Sequence, residues 1–274
     1  MRLGFACGAF AMRPRIQLAR ETARRFADIH DAVSSIPDVG AEKNLLDRLD
    51  QPGNPLVLSF LNAHAANLVW REAYFSDAIR SSDVILRDGV GVRIGLRMSR
   101  RQAGLNMNGT DFIPQVIKLY RGRTVALFGT RDPWLRSATS HACANGLVVV
   151  ATEEGFSPDC RYIQLARESR PALIILGMGM PRQEGIAIQL RAALDHPVLI
   201  VNGGAILDFL GGKRPRAPAV VRDHGFEWMF RLFMEPKRLA RRYLVGNPTY
   251  FLRMLLTGLF KDDGRWSRLA VCGL

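Results

Sequence analysis

The chain has 274 residues, is 48% hydrophobic and carries a formal net charge of +13. That is enough for one large core or a core with an appendage, and the charge calls for an anionic partner: nucleic acid, an acidic membrane face or a phosphorylated substrate. Cys7, Cys143, Cys160 and Cys272 are scattered with no C-x-x-C, which excludes a cysteine metal cluster and fits reduced, unpaired thiols in a cytosolic protein; no apolar run reaches the ~18–20 residues of a membrane-spanning helix.

Residues 1–54 are Arg-rich and weakly patterned and end in DQPGNP. They read as an N-terminal extension with a helix or two. Its start, MRLGFACGAFAM, is broken by glycines and reads as poorly defined chain, not a signal peptide. From Pro55 the pattern changes to apolar runs alternating with helical spacing. PLVLSF predicts a strand, AHAANLVWREAYFSDAIR a helix and DVILRD a second strand. DFIPQVIKLYRG reads as helix, RTVALFG as strand, DPWLRSATSHACANG as a helix closed by Gly146, and LVVVAT as strand. SPDCRYIQLARESR is a helix opened by a Ser-Pro cap, PALIILG a strand, PRQEGIAIQLRAAL a helix and HPVLIVNGG a strand. Continuous apolar strands alternating with helices predict an α/β fold, a Rossmann-like, mostly parallel sheet covered on both faces. Residues 55–212 then form the catalytic domain. After Lys213 the alternation gives way to a basic helical appendage, 213–274, which Pro236 and Pro248 divide into short helices. Its aromatic and arginine residues suit either an anionic lipid surface or packing on the core.

Ligands of such sheets sit at the carboxyl ends of the strands, and the polar clusters fall there. Asp88 follows a strand and precedes Gly89 and Gly91, so the backbone turns tightly; its carboxylate suits a general base or a helix N-cap. Asn62 suits a sugar hydroxyl or a loop tie, and His64 a ligand contact or a helix start. Asp111, after Gly109 and Thr110, suits a ligand or the cap of DFIPQVIKLY. Gly129 in LFGTRDPW belongs to neither a G-x-G-x-x-G nor a P-loop, which leaves a helix N-terminus able to receive a phosphate or ribose. No D-x-D metal motif is present. Asp208 is followed by Lys213, Arg214 and Arg216, which suit a diphosphate or a solvated basic loop. In GMGMPRQE, Pro181 starts a helix, and Gln183 and Glu184 stand in its first turn.

Taken in order, FLNAH, ILRDGVGV, NGTDF, ALFGT, EEGF, ILGMGMPRQE, NGGAILDFLGGKRPRAP and GFEWMFRLFMEPKRLARRY resemble the WecG/TagA/CpsF family of bacterial glycosyltransferases, from about Pro55 to about Tyr243. The resemblance implies inverting transfer from a UDP-sugar (UDP-N-acetylmannosamine, its uronic acid or UDP-glucose) to a polyprenyl-diphosphate-linked saccharide, as in surface or exopolysaccharide synthesis. It implies a protein held peripherally on the inner face of the plasma membrane. No cofactor is expected; with no D-x-D, arginines and helix N-termini rather than a metal are expected to meet the leaving charge, and no recognised nucleic-acid module is present. Asp88 becomes the base. Asn62, His64, Gly109, Thr110, Asp111, Gly129, Gln183, Glu184, Asp208 and Arg214 become substrate-binding, with Gln183 offering its amide to the donor. Arg231, Arg238, Arg241 and Arg242 close the site over the diphosphate. Phe60 and Asn106 stand where many members have threonine and arginine, and the run after RAP is AVVR where many have tryptophan. The competing classes are a nucleotide-binding oxidoreductase, a nucleic-acid binder suggested by charge alone, and a membrane-associated scaffold without activity.

Overall fold

The computed structural model describes residues 7–213, 218 and 227–261, and within them all side chains except those of residues 7–16, 227, 231, 238 and 258–261. Every apolar run expected as a strand is one: β1 (Leu56–Leu61), β2 (Val84–Arg87), β3 (Thr124–Gly129), β4 (Val148–Glu153), β5 (Leu173–Gly177) and β6 (Leu199–Asn202). They form one sheet in the order β2-β1-β6-β5-β3-β4. Every pairing in it is parallel. Parallel neighbours require crossovers, and the crossovers are helical.

Alternation along the strands sorts their side chains between two helical layers. Leu58, Phe60, Leu86, Leu127, Ile175 and Val201 face α2 (Val39–Asp50), α6 (Gly109–Leu119), α7 (Trp134–Ala144) and α10 (Ile206–Leu210). Val57, Ala126, Phe128, Ile174, Leu176 and Ile200 pack on the other side against α8 (Asp159–Ser169) and α9 (Arg182–Ala193). On that same side Leu61 and Ile85 meet α1 (Cys7–Asp31), α3 (Ala63–Arg71), α4 (Ala73–Arg80) and α5 (Gly89–Met98). The α/β architecture with both faces covered is therefore the observed one.

Several local expectations change. The stretch 63–80 is two helices, because Glu72 adopts an extended backbone (φ −127, ψ 107) after α3. α5 was not foreseen; GVGVRIGLRM carries three glycines, which lower helix propensity. Packing overrides that preference at Gly95, where a Cβ would lie 2.0 Å from the Tyr250 hydroxyl. The helix starting in the weakly patterned N-terminal stretch begins at Cys7 and buries Phe26 and Ile29 completely.

The C-terminal part is helical, as expected: α11 (Glu227–Met234), α12 (Pro236–Ala240), a π turn (Arg241–Val245) and α13 (Gly246–Lys261). Pro236 opens α12. Pro248 breaks nothing; it lies in the first turn of α13, where its missing N–H costs little. α13 is tied to α3 by Asn67 Nδ2 donating to Gly246 O (2.7 Å) and by Arg253 Nη1 donating to Asn67 Oδ1 (2.6 Å). Tyr250 is fully buried against α1. His30 Nδ1 must be the N–H, since it meets the carbonyl of Phe26 at 2.6 Å; Nε2 then accepts from the Tyr250 hydroxyl at 2.9 Å.

Candidate active site

Asp88 closes β2 and occupies the N-cap position of α5, yet its carboxylate makes no capping hydrogen bond. It is held instead by Asn62, whose Nδ2 donates to Asp88 Oδ2 at 3.2 Å. The other end of that amide accepts from Ala65 N at 3.0 Å and caps α3. Asn62 is thus both a loop tie and the partner of the candidate base. Its orientation is set by the backbone donor, which only the oxygen can accept. Asp88 N donates to Leu61 O at 2.8 Å, so the two strand ends stay in register where these side chains meet. His64 stands half-buried in the first turn of α3.

Behind Asp88 lies Arg87, only 3% exposed. Its guanidinium donates to Ala103 O (2.8 Å), Gly104 O (3.0 Å), Gly89 O (3.0 Å) and Asn106 Oδ1 (3.4 Å). Burial lowers its pKa to about 10. A cation so withdrawn from water needs partners for its donors, and these four oxygens supply them. In sequence, an arginine at a strand end is indistinguishable from a surface residue, so no local pattern marks Arg87. The segment it holds leads directly into α6, with Met107 N donating to Arg87 O at 3.1 Å.

The cap of α6 is Asn108, where the sequence suggested Asp111. Asn108 Oδ1 accepts from Asp111 N (2.9 Å) and Thr110 Oγ1 (2.8 Å), while its Nδ2 donates to Asp111 Oδ2 (2.7 Å). Asp111 sits in the first turn, where a carboxylate complements the helix dipole. A Cβ on Gly109 would make only ordinary contacts with Ile113 and Phe60, at 3.5 Å and 3.6 Å, so packing does not demand a glycine there.

At the other strand ends the material is glycine. A Cβ on Gly129 (φ 148) would lie 2.4 Å from the Gly177 carbonyl carbon, and one on Gly177 would lie 2.6 Å from the Leu207 side chain. Gly129 therefore serves close backbone approach, which the sequence had assigned to ligand. Beside it Thr130 Oγ1 donates to Asp208 Oδ1 (2.6 Å), which also receives Lys213 Nζ (3.1 Å). These groups, with Arg131, Gly155, Phe156 and Met178, line a small cleft. Phe156 is 68% exposed, and the Arg131 guanidinium lies 4.9 Å from its ring centre. The loop bearing it is tied down: Arg182 donates to Gly155 O (2.7 Å), Ser157 O and Asp159 Oδ1 (3.1 Å), and Tyr162 OH donates to Glu154 O (2.6 Å). The expected Ser-Pro cap of α8 is absent, because Ser157 turns its hydroxyl to Glu153 (2.6 Å).

Gln183 corrects a further expectation. It is 0% exposed, and its Oε1 accepts from Gly179 N (3.1 Å) and Gly204 N (3.0 Å) while Nε2 donates to Glu184 Oε1 (2.9 Å). It binds the turn after β5 to the turn after β6, and its oxygen and one N–H are committed to the protein. Pro181 takes the N-cap position of α9 after a cis Met180–Pro181 bond. Glu184 is 1% exposed with Oε2 unpartnered, and burial raises its pKa to about 7. Arg214 lies outside the described residues, as do the side chains of Arg231 and Arg238; Arg241 is exposed and Arg242 half-buried on the π turn.

The chain matches the glycosyl transferase WecG/TagA/CpsF family over residues 32–264. Among curated relatives, the N-acetylglucosaminyldiphosphoundecaprenol N-acetyl-beta-D-mannosaminyltransferase of Bacillus subtilis (strain 168) is 24% identical over 205 residues, 73% of this chain and 78% of the relative. The enzyme of the same name from Staphylococcus aureus (strain MW2) is 24% identical over 198 residues, 69% of this chain and 72% of the relative. A match spanning the whole sheet, both candidate strand-end clusters and the C-terminal helices shows that this chain belongs to the WecG/TagA/CpsF family and is a glycosyltransferase.

Proposed function

We propose that the protein transfers a sugar from a UDP-sugar to a polyprenyl-diphosphate-linked saccharide, with inversion, and that Asp88 is the general base. The observation that carries this reading is a carboxylate at an N-cap position that makes no cap bond and is aimed by Asn62. Asp88 takes the proton of the acceptor hydroxyl as that oxygen attacks the anomeric carbon, and the bond to the UDP oxygen breaks with its electron pair leaving on the β-phosphate.

The sheet gives this substrate a track. Three strands, β1, β6 and β5, lie between the Asp88 end at β2 and the Thr130 end at β3. At about 4.8 Å per strand the two ends are roughly 19 Å apart. The turns between them carry Gly177, Gly179, Gly203 and Gly204, so the floor is low. The nucleoside is placed in the cleft of Thr130, Asp208 and Phe156, with Phe156 as its stacking face. The diphosphate crosses the glycines towards Asp88, and Lys213, Arg241 and Arg242 meet its charge. The relatives' printed names support the acceptor class.

The C-terminal helices are the part that favours the membrane. Phe233, Met234, Leu244, Val245, Leu252 and Leu255 are exposed alongside Lys237 and Arg241. Apolar side chains flanked by cations suit the inner leaflet, where the acceptor is anchored. Among the described residues no helix is long and apolar enough to cross a membrane.

The test is a donor panel. Detergent-solubilised protein is incubated with UDP-glucose, UDP-N-acetylglucosamine, UDP-N-acetylmannosamine or its uronic acid, each with a polyprenyl-diphosphate saccharide, and released UDP is counted. Acceptor-dependent release from one donor supports the reading and names the sugar. Folded protein that releases none and binds no UDP overturns it. Mechanism without a metal is part of the proposal; activity abolished by EDTA and restored by Mn²⁺ or Mg²⁺ would replace that part.

A further inference from the structure

Arg87 and Asn106 form a device that the reaction as proposed does not yet use. We infer that this pair positions Asp88 by holding the turn Asp88–Gly89 from behind, opposite to the grip of Asn62 on the carboxylate; the inference rests on Asp88 being the base. Asn106 Oδ1 accepts from Gly89 N at 2.9 Å and from Arg87 Nη1 at 3.4 Å. The same Nη1 donates to Gly89 O at 3.0 Å. Both polar groups of Gly89 are therefore claimed, one by each member of the pair. Gly89 has φ 87, a left-handed conformation with little intrinsic preference of its own. Fixing it fixes the direction in which the preceding carboxylate leaves the strand.

The frame behind the pair is itself anchored. Arg87 Nε and Nη2 reach Ala103 O and Gly104 O. Leu105 N donates to Ile36 O at 2.7 Å, and a Cβ on Gly104 (φ 59) would strike that same carbonyl at 2.4 Å. The segment is thus pinned between the α1–α2 connection and the end of β2. Arg87 also has an electrostatic link to its neighbour: Asp88 raises the guanidinium's proton affinity, while burial, Arg93 and Arg97 lower it. A buried cation whose favourable charge partner is the base, and whose hydrogen bonds define the base's turn, is a positioning residue in the strict sense. Its hydrogen bonds go to the turn and to the segment behind it.

The test separates positioning from mere support. Asn106→Ala removes the acceptor of Gly89 N without adding bulk; Asn106→Asp keeps an oxygen in place for both Gly89 N and Arg87. In acceptor-dependent UDP release, Asn106→Ala should lower kcat by about tenfold to a hundredfold with donor KM changed less than threefold, because a misaimed base slows the chemical step. Asn106→Asp should recover at least a third of the wild-type kcat. Arg87→Lys, which keeps the charge but loses the fork, should fall like Asn106→Ala. In parallel, amide exchange at Gly89 should speed up at least tenfold in Asn106→Ala and stay near wild type in Asn106→Asp. Folded Asn106→Ala and Arg87→Lys proteins with kcat within twofold of wild type would overturn the inference, and so would an Asn106→Asp protein as slow as Asn106→Ala. If wild type turns over no donor, the glycosyl-transfer reading fails instead; Gly89 exchange then still decides whether Asn106 holds the turn, and equal rates in all three proteins would sink it.

Discussion

The two halves of the sheet's carboxyl edge are built from opposite materials. At β1 and β2 the turn is shaped by side chains: Asn62, Asp88 and Arg87 each make specific hydrogen bonds at the strand ends. At β3 and β5 the turn is shaped by missing side chains, since Gly129 and Gly177 leave no room for a Cβ. In the proposed reaction the first half supplies the base, a carboxylate left out of capping, and the second takes the nucleoside beside Thr130 and Asp208.

If this division is right, substitutions in the two halves fail differently. The largest expected effect is Asp88→Ala, which should cost ~10²–10⁴ in kcat while the thermal midpoint stays near wild type; near wild-type turnover in a folded variant removes Asp88 from the mechanism. Asn62→Ala should come next, with a tenfold or greater loss of kcat and a stability loss of about 1 kcal/mol from the vacated cap, read by activity and urea melts together. Loss of stability with unchanged kcat would make it a cap alone.

In the glycine half the damage should appear as stability. Gly129→Ala should destabilise by about 2–4 kcal/mol through the backbone clash and the unfavourable φ, visible in a urea midpoint before any assay of turnover. Wild-type stability there would break the comparison.

Glu184 sharpens it with pH. Its folded pKa of about 7 lies above the ordinary 4.5. The folded state thus binds this proton more tightly than the unfolded chain, and the resulting stability is complete below about pH 4.5 and lost as pH rises through about 7. Across that window the wild type should lose up to roughly 3 kcal/mol from this group. Glu184→Gln, whose oxygen still accepts from Gln183, should flatten the profile and gain stability at pH 8; an unchanged slope in urea midpoints against pH would refute the assignment. The smallest effect belongs to Tyr250→Phe. It deletes the bond to His30 between α13 and α1 and should cost about 0.5–1.5 kcal/mol with kcat nearly unchanged.

Chain order, strand identity and the clustering of polar residues at strand ends were legible in the sequence. Apolar runs of four to six residues, alternating with helical spacing, admit few folds other than a covered parallel sheet. FLNAH and RDGVG could be placed at strand ends for the same reason: local pattern fixes where each strand stops, and with it the residues that leave the sheet at its carboxyl edge.

The partners of each polar side chain there were decided only in three dimensions. Gln183 and Asp111 carry the same donors and acceptors whether they face a ligand or the protein. Gln183 turned inward because Gly179 and Gly204, 25 residues apart in sequence, bring two N–H groups to one point. Asp88 was spared from capping because Asn62 arrives from a neighbouring strand. Arg87 became buried because a distant loop surrounds it with carbonyls. α5 formed despite its glycines because Tyr250, from the far end of the chain, needs the space at Gly95. Hydrogen-bond partners and close packing are contacts between segments remote in sequence, and periodicity along one segment carries no record of them.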